Sequence, residues 1–130
     1  MDEFNYALAF SRNHGITSHQ EQQQLKHATV AIAGMGGVGG DYLITLARAG
    51  VGNFKISDFD EFEVANFNRQ YGATLSAVGK PKMTVMQNLV LDINPTCNIE
   101  LYGEGIDESN VDRFLENVDV FIDALSLIHI

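Results

Sequence analysis

The stretch "IAGMGGVGG", residues 32–40, places five glycines within seven residues, where an apolar run gives way to a helical pattern. Glycine is unfavourable inside both strands and helices, so this clustering indicates a backbone that another group approaches closely. That group could be a dinucleotide, a nucleoside triphosphate or only the neighbouring part of the chain. The residues around the glycines bear on this choice.

The segments on either side of the glycines predict a βαβ unit. Residues 29–33 (TVAIA) form a β-branched apolar run that is typical of a buried strand. After the glycines, residues 41–49 carry an apolar face that ends at Gly50, and glycine favours the left-handed position just past a helix. Residues 53–57 (NFKIS) then predict a second strand, which ends at Asp58.

The rest of the chain continues this alternation. Ser18 and Glu21 have capping-box spacing at the start of a short polar helix. Beyond a loop-like stretch, the pattern predicts helix, strand, helix and strand in that order, over residues 80–94, 98–103, 108–117 and 118–125. This order predicts an α/β fold, a Rossmann-like three-layer sandwich around a mainly parallel sheet.

Composition limits the classes of function. The chain has 130 residues, of which 45% are apolar, and a net charge of -9 at pH 7. Nucleic-acid backbones and anionic membrane surfaces attract basic patches, so we expect neither as a direct partner. No stretch offers the roughly 20 uninterrupted apolar residues of a spanning helix. The single cysteine, Cys97, fits a reducing compartment, and we expect a cytoplasmic protein.

The glycines carry a nucleotide-binding spacing. Gly34, Gly36 and Gly39 satisfy G-x-G-x-x-G between a predicted strand and a predicted helix, where the helix N-terminus offers unpaired N–H groups to a phosphate. Asp58 ends the second strand, the place from which an acidic side chain accepts hydrogen bonds from a ribose. These features by themselves favour an NAD-dependent enzyme. Tight packing of helix on strand is the alternative that needs no ligand.

The residues after Asp58 favour a triphosphate instead. Nucleotidyl transfer works chiefly by clamping negative charge, with arginine gripping oxygens in bidentate fashion and lysine acting as a point charge. Arg69 and Lys82 supply both types, and a dinucleotide enzyme has no evident need of them. Asn66 and Gln70 are spaced to share a face with the same site. Singly, each cation is an ordinary surface residue; together with the glycines they predict a phosphate clamp.

This pattern strongly resembles the ThiF/MoeB/HesA-like adenylyltransferases, relatives of the ubiquitin-activating enzymes. The resemblance rests on "GMGGVGG" (34–40), "ARAGVGNFKISDFDEFEVANFNRQ" (47–70), "GKPK" (79–82) and "DINP" (92–95). It implies adenylation of a carboxylate with ATP and Mg²⁺ and release of pyrophosphate. Typically the carboxylate is the C-terminal glycine of a ubiquitin-like sulfur-carrier protein. The sequence is also similar to cyclising dehydratases that act on a modified tRNA base.

By position, the resemblance implies roles for particular residues. The nucleotide would be lined by glycines and bound by two aspartates, of which the first holds the ribose: Gly34, Gly36, Gly37 and Gly39, then Asp58 and Asp60. Four polar side chains would hold the phosphates and the pentacoordinate transition state: Asn66, Arg69, Gln70 and Lys82. Arg12 matches an N-terminal arginine that reaches into the partner subunit's site in family homodimers. The implied catalytic residues are therefore Arg69, Lys82 and Arg12.

The pattern breaks near the C-terminal end. In the family, the fourth strand leads to two aspartates three residues apart, and the second coordinates Mg²⁺. Here Asp123 is followed by Ser126 at that position, and a neutral hydroxyl cannot replace a carboxylate on Mg²⁺. We assign no metal ligand and expect a fold that is incomplete at its C-terminal end.

The sequence thus predicts three regions and leaves two other functions open. We expect an N-terminal helical segment over residues 1–28, part of an ATP-binding Rossmann-like ThiF domain over 29–125, and a tail over 126–130 that departs from the family. The expected partners are a ubiquitin-like sulfur-carrier protein or a small carboxylate, and a second copy of the chain. The alternatives are an NAD(P)-dependent oxidoreductase and an inactive nucleotide-binding or dimerisation module.

Overall fold

The computed structural model describes residues 3–125, in which short strands of one sheet alternate with helices. The strands are β1 (Thr29–Ala33), β2 (Asn53–Ser57), β3 (Asn98–Tyr102) and β4 (Val120–Asp123). The helices are α1 (Tyr6–Ala9), α2 (His19–His27), α3 (Gly37–Ala49), α4 (Lys82–Ile93) and α5 (Val111–Leu115). None of the helices within residues 3–125 combines the length and hydrophobicity that crossing a bilayer requires.

The sheet has four strands in the order β3-β2-β1-β4, and each neighbouring pair is parallel. The chain steps from β1 to β2 to β3 through α3 and α4, and then returns across the sheet to place β4 beside β1. The direction of winding therefore reverses between β1 and β4. In open α/β sheets, ligands bind in the crevice at the carboxyl ends of the strands at such a reversal. The predicted Rossmann-like α/β fold with a parallel sheet is confirmed.

The central strand β1 serves two hydrophobic cores because its side chains alternate between the faces of the sheet. Ile32 belongs to the larger core, with Leu43 of α3 and Met86 of α4. Ala31 belongs to the smaller core, with Phe114 of α5. Ala31, Ile32 and Leu43 are 0% exposed, and Met86 and Phe114 are 1% exposed. Burying a leucine fully contributes about 1.5–3 kcal/mol. Helices on both faces make the three predicted layers.

The helix ends follow local sequence signals closely. Gly50 ends α3 with a φ of 103°, the left-handed conformation predicted for it. Ser18 and Glu21 form the predicted capping box at the start of α2. The helix predicted over residues 80–94 begins at Lys82, and Pro81 stands just before it because its ψ of 131° is extended.

The N-terminal segment is fastened to the end of α3. Asn13 and Gln22 donate side-chain amide hydrogen bonds of 3.1 and 2.9 Å to the carbonyl oxygen of Ala49. The Tyr6 hydroxyl donates to the carbonyl oxygen of Gly50. The last carbonyls of a helix have no intrahelical partner, so these side chains satisfy groups that would otherwise need water. The segment therefore lies at the end of α3 that is remote from the glycines.

Candidate functional site

The glycine loop, residues 34–40, joins β1 to α3 at the carboxyl edge of the sheet. Two of its glycines are required by the fold itself. Gly34 has a φ of 98°, and a Cβ added there would lie 2.8 Å from the carbonyl oxygen of Ala124. A Cβ added at Gly39 would lie 1.8 Å from the carbonyl oxygen of Gly34. No side chain fits at either position unless the backbone moves.

The other two predicted glycines face Gln70 and Arg69, and the contacts at Gly37 include the backbone carbonyl oxygen of Arg69 at 3.6 Å as well as its side chain. A Cβ at Gly36 would lie 3.5 Å from Nε2 of Gln70, and a Cβ at Gly37 would lie 3.6 Å from Cγ of Arg69. Both distances are ordinary van der Waals contacts, so the fold tolerates a side chain here. The glycines instead keep open a space that Gln70 and Arg69 border, and the structure brings these two predicted residues against the glycine loop.

The N-terminus of α3 opens directly onto this space. The helix begins at Gly37 and runs for 13 residues, and the side chain of the preceding residue gives no capping hydrogen bond because that residue is Gly36. The first N–H groups of a helix lack intrahelical partners, and the helix dipole places partial positive charge there. Together with an arginine beside the loop, this end of α3 is suited to an anion such as a phosphate.

Asp58 ties the end of β2 to the glycine loop. Its Oδ2 accepts a 2.7 Å hydrogen bond from the N–H of Met35, and its Oδ1 accepts one of 2.7 Å from the N–H of Asp60. Each carboxylate oxygen has a second lone pair, so Asp58 can still accept a hydroxyl group. The carbonyl oxygen of Asp60 in turn accepts the N–H of Lys82 at 2.9 Å. Three predicted residues are therefore connected by hydrogen bonds.

Gln70 and Asn66 are both buried, but their side chains differ in what they bind. Oδ1 of Asn66 accepts the N–H of Glu63 at 2.8 Å, which stabilises the 3-10 turn Val64–Asn66. Gln70 is only 7% exposed, and its Oε1 has no hydrogen-bond partner among the described residues. An unpaired buried polar atom costs about 1–3 kcal/mol. A ligand with a hydrogen-bond donor would remove this cost at the edge of the glycine loop.

Arg69 is exposed and presents its guanidinium near the mouth of the site. Its Nη1 donates to the carbonyl oxygen of Ala65 and to Oδ1 of Asn68, each at 3.1 Å. Both acceptors are neutral, and within residues 3–125 Arg69 forms no ion pair with a carboxylate. The aliphatic part of the side chain lies against Gly37. The guanidinium is thus anchored and still able to bind phosphate oxygens.

Lys82 is the first residue of α4 and is 6% exposed. Its Nζ lies 5.7 Å from the centroid of the Phe62 ring. Within residues 3–125, Lys82 forms no ion pair of 4 Å or less with a carboxylate. The sequence analysis did not identify Phe62 as a neighbour of this site. The sequence shows it only as an aromatic residue within a polar loop.

Arg12 is not part of this group within one chain. It lies in the exposed 3-10 turn Ser11–Asn13, whose last residue binds Ala49 at the end of α3. A helix of 13 residues is about 20 Å long, so Arg12 stands near the opposite end of α3 from the glycine loop. Any role for Arg12 at a glycine loop would therefore concern a second copy of the chain.

The magnesium site expected from the family pattern lies partly outside the described residues. Ser126 is not among residues 3–125, and nothing is assigned to it. Asp123 ends β4 beside β1, and its Oδ1 accepts the N–H of Leu125 at 3.1 Å. Over the part of the chain that the structure describes, no group of three or more metal-binding side chains comes together.

These features define a class of protein. A glycine loop at a reversal in strand order, an uncapped helix N-terminus and an acidic residue at the end of β2 make a Rossmann-like nucleotide-binding domain. The sequence matches the ThiF family over residues 10–129. The chain belongs to the ThiF family, as the sequence motifs predicted.

Individual relatives fall into two kinds of enzyme. The chain is 39% identical over 116 residues to the tRNA threonylcarbamoyladenosine dehydratase of Bacillus subtilis (strain 168), a match covering 88% of this chain and 46% of that protein. It is 36% identical over 103 residues to the sulfur carrier protein adenylyltransferase of Thermus thermophilus, covering 79% and 38%. The chain thus spans about half or less of these relatives.

A solved relative carries a nucleotide. The crystal structure of the Escherichia coli tRNA N6-threonylcarbamoyladenosine dehydratase TcdA in complex with ATP is similar to this chain with a TM-score of 0.88. The two sequences are 29% identical, and the match covers 92% of this chain and 50% of that one. The structural match therefore agrees with the family that the sequence match indicates.

Proposed function

We propose that this chain forms the nucleotide-binding part of an enzyme that adenylates a carboxylate with ATP. The observation that carries the proposal is the meeting of Arg69 and Gln70 with Gly36 and Gly37 at the uncapped N-terminus of α3. An arginine and helical N–H groups around an open space suit a chain of phosphates better than a nicotinamide. The ATP complex of a relative supports this interpretation over an NAD(P)-dependent oxidoreductase.

The proposed reaction joins two anions. A substrate carboxylate oxygen attacks the α-phosphorus of ATP, the bond from that phosphorus to the bridging oxygen breaks, and pyrophosphate leaves with the electron pair. The barrier is largely charge repulsion, which fixed positive groups lower in the transition state. Arg69 would bind phosphate oxygens, Lys82 would supply a second positive charge, and Asp58 would accept the ribose hydroxyls. No protein nucleophile is needed.

The expected Mg²⁺ does not find a complete site among the described residues. Mg²⁺ is usually held by one or two carboxylates together with substrate phosphates and water. Asp123 supplies one carboxylate at the end of β4, whereas the family pattern gives the Mg²⁺ contact to the position of Ser126, which lies outside the described residues. Residues 3–125 do not form a magnesium cage by themselves, and we assign no step to the ion.

Two substrate classes follow from the relatives, and both carry a carboxylate. The adenylyltransferase relative is named for a sulfur-carrier protein, which agrees with the partner implied by the sequence motifs. The dehydratase relative is named for threonylcarbamoyladenosine in tRNA, whose threonyl group also ends in a carboxylate. We propose the carrier protein as the first candidate because the net charge of -9 opposes binding to an RNA backbone.

We further propose that two copies of the chain act together and that Arg12 enters the partner's site. The turn that carries Arg12 is anchored through Asn13 to the end of α3 far from its own glycine loop, which supports this arrangement. Mixing an Arg12→Ala variant with an Arg69→Ala variant tests it, because each should be strongly impaired alone and the mixed dimer would have one complete site. Recovery of activity supports action across the dimer, whereas a mixture as inactive as its parts contradicts it.

ATP–pyrophosphate exchange is the experiment that tests the proposed function. With the correct carboxylate present, radiolabelled pyrophosphate should enter ATP, and no absorbance change should follow addition of NAD(P)H. Candidate acceptors are a ubiquitin-like carrier protein with its C-terminal glycine, the same protein without that residue, and tRNA bearing threonylcarbamoyladenosine. Oxidation of NAD(P)H would overturn the proposal. ATP binding without exchange for any acceptor would favour the inactive nucleotide-binding module.

A further inference from the structure

We propose that Phe62 is a positioning residue for Lys82. Its ring holds the lysine ammonium at the phosphate end of the site without cancelling the positive charge. This inference rests on the proposed function, since it concerns how the chain prepares a cation for phosphates. The Nζ atom of Lys82 lies 5.7 Å from the centroid of the Phe62 ring, within the range of a cation–π interaction.

Backbone hydrogen bonds bring the two side chains together. The N–H of Lys82 donates to the carbonyl oxygen of Asp60 at 2.9 Å, and the N–H of Phe62 donates to the carbonyl oxygen of Lys80 at 3.0 Å. The N–H of Gly79 donates to the carbonyl oxygen of Phe62 at 2.9 Å. Backbone hydrogen bonds thus join the loop after β2 to the segment that leads into α4. This pairing fixes the ring and the ammonium as neighbours.

The ring itself is held in one place by the core. Phe62 is 1% exposed, and a Cβ added at Gly72 would lie 2.7 Å from Cζ of Phe62 and from Sδ of Met86. Gly72 therefore leaves the space that the ring fills. Met86 stands one helical turn after Lys82 and approaches Gly40 of the glycine loop, where a Cβ would lie 3.4 Å from its Cε. This face of α4 thus packs against the start of α3.

An aromatic ring suits this position better than a carboxylate. Lys82 begins a helix, where the dipole disfavours a positive charge, and its side chain is largely removed from water. The cation therefore needs a partner before any ligand binds. A carboxylate would orient the ammonium but would also compete with phosphate for it. The face of Phe62 orients the cation electrostatically and leaves its full charge for an anionic ligand.

Fluorination of the ring separates this role from simple packing. Replacing Phe62 by trifluorophenylalanine keeps the shape of the ring but weakens its negative face. The same replacement at Phe54 is the matched control, because that ring is also 1% exposed and forms no cation–π contact within residues 3–125. The chain with the Phe62 replacement should bind ATP about fivefold more weakly, as expected for a weakened cation–π interaction. The Phe54 replacement should leave ATP affinity unchanged.

Nuclear magnetic resonance of lysines labelled at Cε provides a readout that does not depend on ATP. The ring current of Phe62 should shift the Lys82 signals upfield of those of Lys80, and Phe62→Leu should abolish that shift. Lys82 signals that coincide with those of Lys80, or a fluorinated chain that binds ATP as tightly as the unmodified chain, would overturn the inference. If the Lys82 shift is present and the unmodified chain binds no ATP, the proposed function fails while the contact between ring and ammonium stands.

Discussion

The carboxylate of Asp58 accepts the N–H of Met35 at 2.7 Å, which fastens the end of β2 to the loop that follows β1. The same carboxylate accepts the N–H of Asp60 at 2.7 Å through its other oxygen. A residue expected to hold a ribose therefore also shapes the glycine loop. Under the proposed function, nucleotide binding and local folding would share one side chain, because both would use a carboxylate at the end of the second strand.

Asp58→Asn should weaken both functions. An amide offers only one acceptor oxygen, so one of the two backbone N–H groups would face an NH₂ group, at a cost of about 1–3 kcal/mol in the free energy of unfolding. Urea unfolding measures this loss. The control is Asp41→Asn, an exposed aspartate on α3. Equal stability of the two variants would contradict the double role of Asp58.

Two adjacent glycines of α3 should respond oppositely to alanine. A Cβ at Gly39 would lie 1.8 Å from the carbonyl oxygen of Gly34, so Gly39→Ala should lower the free energy of unfolding by about 2–3 kcal/mol or more. A Cβ at Gly40 would lie 3.4 Å from the flexible end of Met86, and alanine favours a helix. The free energy of unfolding of Gly40→Ala should therefore be close to that of the parent chain or higher. Thermal unfolding of both variants checks the contrast, which a similar loss in each would contradict.

Arg69→Ala should separate catalysis from folding. The side chain is exposed, so its loss should leave the unfolding midpoint unchanged. Removing one donor to a developing anion typically costs about 10²-fold or more in rate, and we expect that loss in ATP–pyrophosphate exchange. Arg48→Ala, an exposed arginine on the last turn of α3, is the matched control. A change of only a few fold for Arg69→Ala would remove this arginine from the mechanism.

Cys97 should react slowly with alkylating reagents in the folded chain. Burial raises the pKa of its thiol from 9.0 to about 11. Since the thiolate is the reactive form, its fraction at pH 8 falls by about 100-fold relative to an unshifted thiol. The folded state thus holds the proton more tightly, so the thiol favours folding fully below pH 9, and this contribution is lost as the pH rises through about 11. Alkylation rates at pH 8 in the presence and absence of urea test this, and equal rates would refute it.

The local parts of the fold could be predicted from the sequence. The run TVAIA matches β1 because a buried parallel strand needs nearly continuous apolar residues, and NFKIS matches β2 because Phe54 and Ile56 alternate with polar residues; a short window reveals both patterns. The end of α3 was also predicted from a local signal, the glycine at position 50. The short helix α1 was not predicted as a separate element within the N-terminal helical segment, because its four residues carry no period of their own.

The sequence could not predict which glycines have a structural role and which have a role in ligand binding. Whether a glycine is required by the fold or leaves space for a ligand depends on what faces it. Gly34 faces Ala124 and Gly37 faces Arg69, residues that are distant in sequence and meet only in the folded chain. Likewise, the contact between Phe62 and Lys82 depends on backbone pairing across a loop, which no spacing rule reports.

Calorimetric titration of the chain with ATP and with NADH tests the central claim most directly, with Gly36→Ala as the companion variant. We predict that ATP binds, that NADH does not, and that Gly36→Ala stays folded but binds ATP more weakly, because a Cβ there enters the space beside Gln70. Binding of NADH in preference to ATP, or ATP binding unaffected by Gly36→Ala, would contradict the assignment of the glycine loop to a triphosphate.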